Sequence, residues 1–376
     1  MIRKARTAAL ASAAVHLLIA ATLSADAPKG PGPSPKPPEP WPAAAEMERR
    51  RDDSETRRLF RESNPLVFTL TADFKAVGKD RKPDSEKRFP AVVAVLGDDG
   101  QTRSIPVQLR TRGHARLVQN CGFVPLRLEF PPDGTKGTPF EGQRALKLGT
   151  HCQGAKEYEQ CALREYLAYR IFNLFTPRSF RVRLGRATYV DSRTGKTVAT
   201  RYAMFLESER DLARRHDSRI AALPRTLFRH LDRQALLSTM LFEYMIGNTD
   251  FSIYVQHNVR LLQDQAGVVH PVPYDFDYAG LVNAPYALPA RGLNLKTVLE
   301  RAYLGPCLTK EEMDALVAAF TEKKADVMAL VESVEGLEAG SRRDAKAYLQ
   351  EFYSVIERPR DAKRPLMDTC SKKAGM

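Results

Sequence analysis

The sequence predicts an α+β protein of two lobes, a sheet-rich half followed by a helix-rich half. Short runs with period-two alternation of apolar residues crowd the stretch from Leu66 to Leu206. From Leu227 to Ile356 the apolar residues fall instead at helical spacing. A chain of 376 residues that is 43% hydrophobic is also long enough to bury a sizeable core.

The start of the chain carries no core. Arg3, Lys4 and Arg6 precede an apolar stretch from Ala8 to Leu23 that ends in Ala25-Asp26-Ala27. That order reads as a secretory signal peptide over residues 1–27, cleaved after Ala25 or Ala27, and implies a periplasmic or secreted protein. An uncleaved anchor is the alternative, although the run falls short of the ~20 residues that span a bilayer. Residues 28–45 form a Pro-rich linker, PKGPGPSPKPPEPWP from Pro28 to Pro42, whose composition favours extended polyproline conformation.

The formal net charge is +13, but the basic residues are spread along the chain and interrupted by acidic ones. Interspersed signs mark a solvated surface, and no aromatic residues interleave with the basic clusters to stack bases. No nucleic-acid partner is expected. A basic surface does favour anionic substrates or a peripheral association with the envelope. Of the five cysteines, Cys121, Cys152, Cys161 and Cys307 lie in expected structure and could form two disulfides, which leaves Cys370 in the polar tail as the odd one.

The sheet-rich lobe is expected over residues 46–206. It opens on a charged helical lead-in, Arg49 to Arg61, and continues with strands at Leu66–Val77, Ala91–Leu96, Ile105–Arg110, Val124–Phe130 and Ala145–Leu148. A helix follows from Glu157 to Leu174, then two strands, Phe180–Val190 and Val198–Leu206, joined by the polar turn Asp191 to Gly195. The helix-rich lobe, residues 207–357, has helices at Leu227–Ile246, Lys310–Val334 and Arg342–Ile356, with a hairpin of Val259–Gln263 and Val268–Val272 at its centre. Residues 358–376 are a basic tail.

The most informative stretch begins where the apolar helix ends, at Gly247-Asn248-Thr249-Asp250, runs through His257-Asn258, and reaches Tyr274-Asp275-Phe276-Asp277 past the hairpin. The hairpin can bring Asn258 back towards Asp275. Their oxygens would suit a hard divalent cation, with Asp277 an additional ligand. Phosphoryl transfer needs such a set: one carboxylate, Asp250, to orient and deprotonate a hydroxyl, and further oxygens for the metal that neutralises the phosphates. Each residue also has a plainer reading. Asp250 could complete an Asx turn after Asn248, Asp275 and Asp277 could cap a segment, and Lys147 with Glu165 could be an ordinary surface ion pair.

Taken with Arg110-Thr111-Arg112-Gly113-His114, Ala145-Leu146-Lys147-Leu148 and Leu163-Arg164-Glu165-Tyr166, these motifs resemble the spore coat protein H-like (CotH-like) atypical kinases over roughly residues 65–310. The resemblance implies a protein-kinase-like two-lobed fold, ATP as donor, Mg2+ or Mn2+, and an exported protein or small-molecule hydroxyl as acceptor. It assigns the catalytic aspartate to Asp250, metal binding to Asp275 and nucleotide binding to Lys147, with Glu165 as the partner of that lysine on the helix. Asn258 follows Asp250 by eight residues, against about five in the HRDxxxxN signature. No GxGxxG loop is present, and Arg112 before Gly113 is the nearest phosphate contact. A kinase-like protein that binds its ligand without turnover is the alternative function.

Overall fold

A computed structural model describes residues 39–118, 121–223 and 225–370. The signal-peptide assignment and most of the Pro-rich linker lie outside these residues. The described residues from Pro42 onward form one compact unit, and among the described residues no helix is long and apolar enough to cross a membrane.

The elements in chain order are α1 (Ala44–Glu55), β1 (Leu66–Ala72), α2 (Phe74–Lys79), β2 (Phe89–Leu96), β3 (Thr102–Thr111), α3 (Ala115–Val118), β4 (Leu126–Glu129), β5 (Ala145–Gly149) and α4 (Lys156–Phe175). Then come β6 (Val182–Asp191), β7 (Thr197–Leu206), α5 (Glu209–Arg215), β8 (Arg219–Ile220), α6 (Arg233–Ile246), β9 (Val259–Gln263) and β10 (Val269–Pro273). Helices α7 (Lys310–Glu322), α8 (Lys324–Ser333), α9 (Ala339–Ile356) and α10 (Pro359–Lys363) follow.

Seven strands close into a barrel in the order β1-β2-β3-β4-β5-β7-β6, antiparallel throughout except where β6 meets β1 in parallel. This closure overturns the two-lobed protein-kinase-like fold expected from the sequence. The long strands β6 and β7 pair with β1 at one end and β5 at the other, so neither edge of the expected open sheet is left free. Alternation places Phe68, Leu70, Val93, Val95, Ile105, Val107, Leu126, Leu146, Tyr189 and Phe205 inside the barrel. A second apolar cluster gathers α4, α6, the β9–β10 hairpin and α7–α9, with Leu163, Phe242, Phe276 and Phe352 all buried.

Local chemistry corrects several element boundaries. The first strand stops at Ala72 because the Asp73 side chain accepts from Ala76 N at 2.9 Å and caps α2. The helix expected from Leu227 begins at Arg233, after the Asp232 cap, and the long helix expected from Lys310 divides at Lys323. The cysteine expectation also changes. Disulfides join Cys121 to Cys152 and Cys307 to Cys370, and the free, buried cysteine is Cys161 on α4. Cys370 finds a partner because the segment after Arg358 folds onto the helices, burying Ala362 and Leu366 and pairing Leu308 N with Leu366 O.

Candidate functional site

Arg112, Lys147, Glu165, Asp250, Asn258, Asp275 and Asp277 all line one cavity of about 690 Å³. They come from β5, α4 and three loops.

The loop after α6 is set by Gly247, whose left-handed conformation ends the helix and whose missing Cβ leaves room for the Tyr348 hydroxyl. Asn248 Oδ1 then accepts from Asp250 N at 3.0 Å, so the Asx turn is present. That turn aims the Asp250 carboxylate and does not consume it. One carboxylate oxygen lies 3.2 Å from His257 Nε2, and the other accepts from Asn258 Nδ2 at 3.1 Å, while the Asp250 carbonyl accepts from the same amide at 2.7 Å. The long spacing to Asn258 has a structural reason. Ser252 and His257 exchange backbone hydrogen bonds, which folds the extra residues into a small loop and returns Asn258 to Asp250.

Asn258 and Asp275 both hold left-handed backbone angles, φ 52° and 65°. These are sparsely populated for residues with a side chain, though Asn and Asp tolerate them best, and such strain gathers at functional sites. Asp275 N donates to the Tyr169 hydroxyl at 2.8 Å and Tyr274 N to the Asn258 carbonyl at 3.0 Å, which keeps the two loops together.

The deep end of the cavity is acidic. Burial, then the neighbouring Asp275, pushes Asp277 up to about 7, and the Tyr286 hydroxyl donates to its Oδ2 at 3.1 Å. Glu165, 6% exposed, is pushed well above the usual carboxylate range by burial, then by Asp277 and Asp275. Arg116 faces all three acids and anchors itself by donating to the Thr150 carbonyl.

At the outer end, Lys147 Nζ bonds Glu209 Oε1 at 3.0 Å, and Arg260 Nε meets the same oxygen at 3.1 Å. The expected Lys147–Glu165 pair is therefore corrected. Lys147 pairs across the sheet with Leu206, and α5 starts just after that strand, so the register delivers Glu209 to the lysine. Glu165 is committed instead to the deep acids and Arg116. Burial, then Arg112, lowers the Lys147 pKa, and Glu209 opposes this.

Sequence reasoning missed Arg116, Glu209, Arg260 and Tyr169. For Arg116 a signal existed, since Gly113 lets the chain turn and Arg116 follows in the next helical turn. For the other three no local pattern marks the role.

The donors suit magnesium. Among the described residues no three His, Cys, Asp or Glu groups are placed to hold a metal ion by themselves. Two carboxylates, the Asn258 side-chain Oδ1, water and phosphate oxygens make the mixed shell that magnesium commonly takes. The excess of buried carboxylate, already forced towards protonation, is the feature that a bound cation would relieve.

No protein-family model matches the chain, and no curated protein does; the expected resemblance to spore coat protein H-like kinases gains no support there. Among solved structures, the chain is similar to the crystal structure of a Helicobacter pylori proinflammatory kinase, CtkA, with a TM-score of 0.37 at 11% identity over 64% of this chain and 92% of that one. A likeness at that level carries no argument about function.

Proposed function

We propose that the chain is an exported, ATP- and divalent-metal-dependent phosphotransferase acting on a hydroxyl of an exported protein or small molecule. The observation that supports it most is the convergence of Asp250, Asn258, Asp275, Asp277, Lys147 and Arg112 on one cavity. The two disulfides fit an oxidising compartment.

When bound, the metal–nucleotide complex supplies the phosphoryl group and the neutralised charge that transfer requires. Asp250 orients the acceptor hydroxyl and takes its proton. Asn258 and His257 hold the carboxylate of Asp250 in one rotamer, which saves the entropy of finding it. Asp275, Asp277 and the Asn258 Oδ1 offer the metal ligands, and Lys147 and Arg112 offer the cations that meet phosphate oxygens.

The test is transfer of labelled phosphate from ATP with magnesium, or with manganese, to an extract of exported proteins and to the chain itself. Asp250→Asn should lower that rate by ~10²–10⁴ and leave ATP-dependent thermal stabilisation within a few-fold of the parent. A rate untouched by Asp250→Asn removes this residue from the mechanism. A parent that binds ATP and labels nothing is a binding protein instead.

A further inference from the structure

The carboxylate of Glu209 serves two cations at one oxygen, Lys147 at 3.0 Å and Arg260 at 3.1 Å. Those cations also lie over the same ring, Lys147 Nζ 5.0 Å and Arg260 Cζ 4.6 Å from the centre of Tyr274. Tyr274 immediately precedes Asp275. Glu209, Arg260 and Tyr274 do not line the cavity, whereas Lys147 and Asp275 do. The cluster thus borders the outer end of the site and touches the cavity at two points.

We propose that Glu209 is the positioning residue of Lys147, and that through Arg260 and Tyr274 it ties the phosphate-facing ammonium to the segment carrying Asp275. This rests on the phosphotransferase reading above. A lysine on four methylenes has many rotamers, and fixing one costs entropy that a preformed partner supplies in advance. Arg112 and Arg260 both repel the Lys147 ammonium, and Glu209 is the carboxylate that offsets them. Glu165 is no substitute, because it faces Arg116 and the deep acids. The placement of Glu209 is itself constrained: it sits in the first turn of α5, whose cap Ser208 accepts from Asp211 N at 3.0 Å.

The experiment compares Glu209→Gln, Glu209→Asp and Glu165→Gln, each checked for a cooperative melt. Lys147 reactivity towards an amine-acylating reagent at pH 8, without nucleotide, is read by peptide mass spectrometry; KM and kcat for magnesium–ATP are read separately. Glu209→Gln should raise Lys147 acylation several-fold and raise KM about tenfold with kcat changed less than about threefold. Glu209→Asp should recover part of both, and Glu165→Gln should leave Lys147 acylation at the parent value. If Glu209→Gln leaves acylation and KM unchanged, or Glu165→Gln raises acylation as much, the proposal is overturned. Should Glu209→Gln fail to fold, Glu209→Asp decides, since parental acylation in that variant with an intermediate KM absent also overturns it. A parent without nucleotide binding or transfer would defeat the phosphotransferase reading alone, because acylation still reports on the Glu209–Lys147 tie.

Discussion

The outer and deep ends of the cavity balance charge in opposite ways. Outside, one carboxylate, Glu209, holds two cations, Lys147 and Arg260, and its pKa stays lowered although burial works against this. Inside, Glu165, Asp275 and Asp277 gather around Arg116, with Arg112 farther off, and both Glu165 and Asp277 are driven towards the neutral acid. The outer end carries surplus positive charge and suits phosphate. The deep end carries surplus negative charge and suits a metal cation. On the proposed function these two ends would take the two halves of a metal–nucleotide complex, and neither depends on the net charge of +13.

The sharpest way to break this contrast is to disable one end at a time. Asp275→Ala should weaken magnesium-dependent stabilisation by ATP about 100-fold or more in apparent affinity, since losing even an indirect partner of a metal ligand costs 10–100-fold. The melt without ligands should survive. Thermal shift across a magnesium titration reads both, and parental binding by the variant would return Asp275 to a turn-forming role. Lys147→Met should cost about 10–100-fold in nucleotide affinity, the worth of a charged hydrogen bond, with the metal dependence of the remaining binding unchanged. Equal responses of the two variants to magnesium would erase the distinction between the ends.

A smaller effect follows from pH. Asp277 must lose its proton to hold a cation, and its pKa is raised to about 7. Magnesium-dependent stabilisation should therefore weaken about tenfold for each pH unit below 7, and Asp277→Asn should flatten this profile. The ligand-free protein should respond with the opposite sign. A carboxyl raised from 3.8 to about 7 favours folding fully below the unfolded value, and that contribution is lost as pH rises through the folded one. Isothermal titration and melts at pH 6, 7 and 8 check both signs.

The smallest effect on the site belongs to the disulfides. Each closes a loop, with sequence separations of 31 and 63, and replacing either pair by serine should cost about 3–4 kcal/mol of stability. Only Cys121–Cys152 lies in the stretch bearing Arg112 and Arg116, where Phe123 N bonds the Cys152 carbonyl and Arg116 bonds Thr150. Its loss should weaken nucleotide binding a few-fold, and loss of Cys307–Cys370 should not. Thiol counting on the denatured, unreduced chain should find one free cysteine, Cys161.

Much of the site was legible because its parts are local. Asp250, Asn258 and Asp275 follow one helix end and one hairpin, and only a few residue types can move a proton or hold a hard cation, so type and order together marked them. Lys147 was legible as a strand lysine, but its partner was not. The resemblance offered Glu165 on the helix as that partner, while the cross-strand register of β5 with β7 selected Glu209. Tyr169 acts through a neighbour far away in sequence, and nothing adjacent to it in the chain reports that contact, while Arg116 had only the turn at Gly113 to announce it.

By itself the sequence determined the alternation that builds the strands, the amphipathic helices, the glycine that ends α6 and the residue types of the site, because each depends on contacts within a few residues. Closure of the barrel was decided only in three dimensions. Alternation says which face of a strand is buried and is silent about which strand lies beside it, so the parallel meeting of β1 and β6, separated by four strands and three helices, left no local trace. The cysteine pairing was decided in the same way, since Cys370 reaches Cys307 only after the last helices have packed. So too was the division of charge between the two ends of the cavity, which depends on how deeply each carboxylate is buried and which cation reaches it, quantities that exist only once the chain has folded.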